Sequence, residues 1–600
     1  MESSLKTFTD HFDEFADNSQ EMRELAMRDR DYKDGDQLTP EEYAALKKRK
    51  QPPVIRNRIQ KAVMKVVSKE AESRSDPKAF PRNPEDEEGA DAISKALRYV
   101  ADNVDLDETN SEQFEHQITE GWGGAIVEIE PKTRDIEVNL IEPDRCYWDI
   151  HSRRNDYSDS RRFGLVTWME EASVIKRWPD SKKDLGNYIS TSLEYSTFED
   201  KPNSLRWVDA VRRRVMVMQE YYLDDNDVWR EVFFCKACVL KDQVSPYLDD
   251  KGDPCNPIEL GSSFCKRDGS RYGLVRAMID LQDEVNKRGS KALHLLNVNQ
   301  TMGEEGSVKN VNDVKREKAK ADGHIELNPG ALSGGRFQFV DRRMELSVHL
   351  QMMQEAKAEI EELSINAEVG ASASGRSREL QLQDELIKIG RVFDRHRHWK
   401  RRIYRQIWAR IKQFWSEEKW VRVTDDEGSP EFVGLNQKIT LGQLMTEHAK
   451  KTGEEIPPPF LADPRMNQVV EVRNNVKELD VDIIIDESPN YITLQHELLG
   501  IVLDAAKQAG QPLPIEVVLD LIPSLPNKRA IKDRLEGTDE QKAQAAQQQQ
   551  IQQQVAAEAL EIQKAKELSE IGENEASAEK DRAMAQRYQV EAMRGMHSQL

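Results

Sequence analysis

No stretch of this 600-residue chain approaches the roughly 18 consecutive apolar residues that a membrane-crossing helix requires. Its opening, MESSLKTFTDHFDEFADNSQ, has no apolar core behind a basic lead, so no secretory signal is expected. Cysteine is scarce. Five residues, an odd number, do not make a disulfide framework in so long a chain, and they fit a reducing compartment. A basic excess is also missing: 87 Lys and Arg stand against 109 Asp and Glu, a formal charge of -22. That balance excludes a protein gripping nucleic acid through a general basic surface. It does not exclude one that lets DNA pass without sticking, because like charge repels phosphate. There is no Ser/His/Asp order, no HExxH and no glycine-rich dinucleotide fingerprint. Proline is absent after Pro526, and residues 541–571 hold neither Gly nor Pro.

What is present is charge and helical periodicity. Charged residues make up 33% of the chain, against about 25% in ordinary domains, so much of the surface is solvated. The length allows about four domains. Residues 1–50 are acidic and then basic, with no sustained apolar face, and read as an arm. Pro52 and Pro53 end it. Val54, Ile55, Ile59, Val63 and Val67 then predict a helix, and Ile93, Leu97, Val100 and Val104 a second. A third is expected over 114–118, and Gly121, Gly123 and Gly124 predict a tight turn. Strands are expected at 125–129, 136–141, 215–222 and 229–240, with the aromatic runs RCYWDI and TWMEEASVIKRWPD in the core between them. Residues 51–271 therefore read as an α+β domain.

The stretch 272–415 organises the rest. Leu274, Met278, Leu281 and Val285 lie on one face of a helix over 272–299. A basic polar insert, 300–343, carries Lys309, Lys315, Arg316, Lys318 and Lys320 and a hairpin-like IELNPGALSGGRFQF. A partner helix over 344–365 follows, with Leu346, Leu350, Met353, Ile360 and Leu363 on one side. A small flexible loop, 368–376, leads into a very long helix, 377–415. Short strands return over 421–490, with VDIIIDESP the clearest, and short helices over 493–508 and 515–522. The tract QQQQIQQQ beyond is either a helix packing on copies of itself or a disordered tail.

Four features invite a chemical reading. The run Gly370–Ser377, GASASGRS, has the spacing of a phosphate-binding loop, but Arg376 stands at the Lys position and a helix, not a buried strand, is predicted before it. A mobile loop is the better reading. Cys235 and Cys238, with Cys255 and Cys265 further on, offer four thiols, yet the spacing is not that of a zinc ribbon or finger. The pair also falls in a strand-like FFCKACVL, which predicts opposite faces. Asp480 and Asp482 share a strand face, with Asp486 and Glu487 beyond, as a magnesium site for nuclease chemistry would need, but no His or Lys completes it. Arg391 to Arg405, which includes Arg395, Arg397, Arg401 and Arg402, is a basic tract that either meets phosphate or pairs with acidic neighbours across a subunit contact. These readings end at a non-enzymatic, multi-domain assembly protein with a helical centre and no cofactor. A P-loop ATPase or metal-dependent nuclease is the alternative.

One resemblance covers most of the chain. The ordered series KQPPVIRNRIQKAV, GWGGAIVEIE, IEVNLIEPDRCYWD, RYGLVRAMIDLQDEVNKRGSKAL, DESPNYITLQHE and LIPSLPNKRAIKDRL resembles the portal proteins of tailed bacteriophages, most closely the short-tailed type. Asp280, Gln282, Asn286, Lys287 and Ser290 sit where that family carries such residues. The resemblance implies a wing (51–271), stem helices (272–299 and 344–367) and a clip (300–343). It also implies a tunnel loop (368–377) with Ser372, Ser374 and Arg376 toward a channel, a wing return (378–490), a crown (491–536) and a helical barrel or tail (537–600). It implies a ring of about twelve copies at one capsid vertex of the virion, assembled in the host cytoplasm, through which double-stranded DNA is packaged and ejected. Its implied partners are the terminase large subunit, head-completion or tail adaptor proteins, and capsid and scaffolding protein.

Overall fold

The computed structural model of the chain describes residues 2–484 except 73, 75, 83–86, 192–206, 210–211, 298–299, 319, 321, 341, 365–374, 425–429, 453–463 and 480. The expected crown and Gln-rich tail lie outside these residues. The described part is mixed α and β.

Three helices come first: α1 (Glu2–Asn18), α2 (Gln20–Asp34) and α3 (Pro40–Lys48). Gly35, at φ 107°, closes α2 in the left-handed conformation that glycine adopts without strain. Thr39 and Glu42 form a reciprocal capping box at the start of α3. Then come α4 (Ile59–Glu72), β1 (Lys78–Pro81), α5 (Glu87–Asn103), α6 (Leu106–Thr119), β2 (Trp122–Ile129), β3 (Ile136–Ile141) and β4 (Cys146–Trp148). Next are β5 (Arg162–Glu170), α7 (Glu171–Arg177), α8 (Lys182–Thr191), β6 (Val208–Asp209), β7 (Arg214–Leu223), β8 (Trp229–Phe234) and β9 (Val239–Val244). The short strands β10 (Ile258–Ser262), β11 (Phe264–Cys265) and β12 (Arg271–Tyr272) precede α9 (Ile279–Asn297). An insert follows with β13 (Thr301–Gly303), α10 (Val311–Glu317) and β14 (Phe337–Phe339), and then α11 (Arg343–Glu362) and α12 (Gly375–Phe414). The described chain ends through β15 (Lys419–Thr424), β16 (Pro430–Leu435), β17 (Gln437–Thr440), α13 (Leu441–Thr452), β18 (Val469–Arg473) and β19 (Val481–Ile484).

Three cores hold these elements. The first lies on a six-stranded antiparallel sheet ordered β4-β5-β7-β8-β9, with β6 on the side of β7. The arm expected over 1–50 does not stay apart from it. Phe8, Phe12 and Phe15, at helical spacing among acidic residues, are buried on this sheet, stacking on Phe234 and meeting Tyr147, Trp148 and Trp207 edge to face. The second core gathers α5, the C-terminal half of α12 and the sheet β10-β2-β3. Gly123 and Gly124, expected in a turn, are in β2 instead. A side chain on Gly124 would strike the Leu260 side chain and the Glu259 backbone of β10. Only Gly121, at φ 108°, takes the turn conformation. The third core packs α4, α6, α9, α11 and the middle of α12.

One pairing spans most of the described chain and another closes the insert. Strand β1 pairs antiparallel with β19, Lys78 opposite Ile484. The insert is not a local hairpin: β14 pairs with β13, Thr301 opposite Phe339, so the insert closes at its own base. The helix expected from Val54 begins only at Ile59. The reason lies on α9.

Candidate functional site

Helices α9 and α11 run against each other, and α9 is the better defined chemically. Gln282, Asn286 and Ser290 recur every fourth residue on one buried face of α9. They meet an extended segment, Val54 to Arg58. Val54 N–H donates to Ser290 Oγ at 3.0 Å, Arg56 N–H to Asn286 Oδ1 at 3.0 Å, and Arg58 N–H to Gln282 Oε1 at 2.9 Å. Gln282 Nε2 donates back to Arg56 O at 2.9 Å. The geometry works because four residues of helix rise about 6.0 Å and two of extended chain about 6.6 Å. The helix thus offers amide and hydroxyl groups at nearly the repeat of a strand edge. Pro52 and Pro53, which cannot donate, precede the segment and favour its extended entry. Asp280 and Lys287, the other two residues expected here, face solvent, and Lys287 pairs with Asp283 at 3.0 Å.

Helix α2 and the turn after it hold the same helix and the residues just before it. Tyr32 Oη donates to Asp283 at 2.6 Å, Asn286 Nδ2 donates to Gln37 at 2.7 Å, and Arg276 Nε lies 2.8 Å from both Asp29 oxygens. Asp29 is fully buried, and burial raises its carboxyl to about 6 although Arg276 pulls the other way. The N-terminal residues therefore join the six-stranded sheet to the helix pair. Sequence reasoning missed this, although the spacing of Phe8, Phe12 and Phe15 carried a signal.

The partner helix is unevenly covered. Met353, Ala356 and Ile360 are buried. Met344, Val348 and Met352, at i, i+4 and i+8, form an uncovered stripe, with Met344 85% and Val348 53% exposed. Leu350, expected inside, is also exposed. Leu293 and Leu296 of α9, and Met302, Phe339 and Val340 of the insert, are exposed as well.

The insert's basic residues are met by acids. Lys309 pairs with Glu326 at 3.1 Å, Arg316 with Asp313 at 3.2 Å, and Lys320 with Glu317 at 2.8 Å. Lys315 is exposed and Lys318 is half-buried at the end of α10. Exposed pairs of this kind add little stability, so the insert's surface is a mixed-charge one and not a basic patch.

The long basic tract is divided. His396 and Lys400 face inward to Glu70 of α4, at 3.6 and 3.2 Å, with Arg74 at 3.4 Å. Burial alone would raise the Glu70 carboxyl, but His396 and the cations Lys400 and Arg74 hold it below the usual carboxylate range. Burial lowers His396 to about 4, and the adjacent Lys400 adds to this. Arg402 pairs with Glu259 at 2.9 Å and donates to the carbonyls of Asp156 and Leu260. Arg397 pairs with Asp394 at 3.5 Å, and Arg395 lies over the Phe264 ring at 5.6 Å. Arg401 is half-buried. The acidic neighbours of Arg397 and Arg402 within the chain are Asp394 and Glu259.

The catalytic alternatives lose their geometry. Ser372 and Ser374 lie outside the described residues, whereas Arg376 falls in the first turn of α12, which already begins at Gly375. The last described element before that loop is helix α11, and among the described residues no strand lies between it and α12. Asp482 pairs with Arg82 at 2.6 Å, while Asp480, Asp486 and Glu487 lie outside the described residues. Cys255 contacts Arg410 at 3.2 Å and Cys265 contacts Arg271, so neither joins Cys235 and Cys238. No group of three or more His, Cys, Asp or Glu placed to hold a metal occurs among the described residues.

The chain thus combines an α+β body, a helix pair joined by an insert, and a 40-residue helix. The family model of phage P22-like portal proteins matches residues 9–585, and the chain belongs to that family, whose members are structural and not enzymes. It is also similar to the portal protein of Helicobacter pylori bacteriophage KHP30, 21% identical over 335 residues, which cover 54% of this chain. The match spans about half (52%) of that relative's length. No helix among the described residues is long and apolar enough to cross a membrane.

Proposed function

We propose that about twelve copies of this chain close into a ring at one capsid vertex and that double-stranded DNA passes along its axis during packaging and ejection. Helices α9 and α11 are the stem, the insert 300–343 the clip, and residues 368–377, with Ser372, Ser374 and Arg376, the loop nearest the DNA. Residues 51–271 and 378–490 form the wing, 491–536 the crown, and 537–600 a barrel or tail. The stripe Met344–Val348–Met352 carries this reading. One face of α11 is packed on its own chain while the other leaves large apolar side chains in water, which a neighbouring copy would cover. Each such contact joins two different surfaces, and the ring must close for all to be satisfied.

The clip, with Lys309, Lys315, Arg316, Lys318 and Lys320, docks the terminase large subunit and later the head-completion or tail adaptor proteins. Capsid and scaffolding protein meet the outer body. Arg395, Arg397, Arg401 and Arg402 of the long helix are the residues assigned to contact with neighbouring copies or phosphate. The chain needs no cofactor for this role, and the formal charge of -22 keeps the duplex from adhering. Electron microscopy of the purified protein tests the reading: rings with a central hole are expected, and monomers at every concentration would overturn it.

A further inference from the structure

The strand-like run FFCKACVL is not one strand. Strand β8 ends at Phe234, β9 begins at Val239, and the chain reverses between them. Cys235 N–H donates to Cys238 O at 3.0 Å across the turn. The two cysteines that strand alternation would place on opposite faces are therefore side by side, with their sulfurs 4.0 Å apart and both thiols free. Cys235 is buried and Cys238 half-buried. The turn also anchors α1: Lys236, between the two cysteines, pairs with Asp13 at 2.9 Å and lies over the Trp207 ring at 5.0 Å.

A disulfide needs two sulfurs about 2.05 Å apart on backbones that are already close. Opposed positions in an antiparallel hairpin supply the close backbones. Rotation of the side chains supplies the rest.

We infer that Cys235 and Cys238 are a dithiol–disulfide couple at the tip of the β8–β9 hairpin, open in the reducing cytoplasm of assembly and closed in the released particle. The compartment half of this inference rests on the proposed function, since a virion leaves the cell for an oxidising medium. The chemical half rests on the geometry alone. The half-buried Cys238 thiolate attacks a small disulfide of the glutathione class, releasing one thiol and leaving a mixed disulfide. The Cys235 thiolate then displaces the second thiol. Two protein thiols are oxidised, one external disulfide is reduced to two thiols, and the two protons pass to those products. The contact between the two sulfurs lowers the Cys235 thiol and raises the Cys238 thiol, and Cys238 attacks first because it is the more exposed of the two. Closure fastens the turn that holds Lys236 against α1.

The full-length protein is equilibrated in buffers of increasing oxidised-to-reduced glutathione ratio, quenched in acid, denatured and alkylated, and its intact mass is measured. Five labels are expected in the reduced protein and three after a single oxidation step, from the five cysteines of the sequence. Trypsin cuts after Lys236, so closure leaves peptides 231–236 and 237–241 joined by the disulfide. Cys238→Ser should hold four labels through the range where the natural protein falls to three. Five labels retained to the most oxidising buffer, or two single glutathione adducts in place of a joined pair, would overturn the inference. The natural protein alone decides the matter if the variant does not fold. Rings that keep five labels sink this couple and leave the portal reading intact. A closing disulfide in a protein that never forms rings does the reverse.

Discussion

Replacing Asn286 by Ala gives the sharpest test of how the N-terminal residues are held. Asn286 is buried and makes three hydrogen bonds: it accepts from Arg56 N–H at 3.0 Å and Gln282 at 3.0 Å, and donates to Gln37 at 2.7 Å. Alanine leaves the part-buried Arg56 N–H and the buried Gln37 amide oxygen without that partner. Each orphaned group costs about 1–3 kcal/mol, so the segment should lose roughly 2–6 kcal/mol of local stability, toward the lower figure because Arg56 is only partly buried. At about 1.4 kcal/mol per decade, the lower figure is a roughly 30-fold rise in the open population. Hydrogen exchange by mass spectrometry reads this directly. Peptides covering 54–58 and 32–37 should exchange at least about 30-fold faster, while the six-stranded sheet keeps its protection. Asn286→Asp should differ, retaining the acceptor for Arg56 but losing the donor to Gln37. Unchanged protection at 54–58, or loosening spread evenly over the chain, would refute the ladder.

Three further outcomes follow from the same structure. Lys400→Met removes the buried cation 3.2 Å from Glu70 and should cost about 3–5 kcal/mol in a thermal or denaturant unfolding series, with Glu70→Gln in the same background restoring part of it. Because the Glu70 carboxyl is depressed in the fold, the stability it lends is fully present above its usual 4.5 and is lost as pH falls below that value, so the natural protein should weaken in acid more than the double variant. Asp29 has the opposite sign: its folded value of about 6 exceeds its usual 3.8, so the folded state holds the proton more tightly and stability drains away as pH rises from about 4 to 6. Asp29→Asn should flatten that slope, worth about 3 kcal/mol, in melts taken across this range. Val348→Asp should leave the melting of the isolated subunit within about 0.5 kcal/mol, since Val348 is half-exposed, yet abolish ring formation in sizing and microscopy.

Much of this was legible in the sequence because period carries it. The i, i+4 repeat placed Ile93, Leu97 and Val100 on the buried face of α5, and the alternation in IEVNLI gave β3 its observed limits, Ile136–Ile141. Helix α12 was expected over 377–415 and runs from Gly375 to Phe414. What period cannot show is a partner far away in sequence. Val54 to Arg58 has the apolar spacing of a helix start, but Gln282, Asn286 and Ser290, more than 200 residues on, take its N–H groups and hold it extended. The acidic run around Phe8, Phe12 and Phe15 hid an apolar face only three residues wide. FFCKACVL read as a strand because Lys236 and Ala237 are not turn formers, so the pairing of Phe234 with Val239 was invisible. The candidate contacts divided along the same line. Residues 300–343 could be called basic from sequence, but only the structure shows Glu317 and Glu326 set against their lysines. The basic tract of α12 likewise hid His396 and Lys400, which point inward to Glu70.

The central claim is that the uncovered stripe on α11 joins neighbouring copies around an axis that DNA can thread. Cryo-electron microscopy of the full-length protein tests it most directly. The account predicts closed rings of about twelve subunits, with an open axial channel and Met344, Val348 and Met352 buried between adjacent copies. Monomers at all concentrations, or rings in which that stripe still faces water, would contradict it.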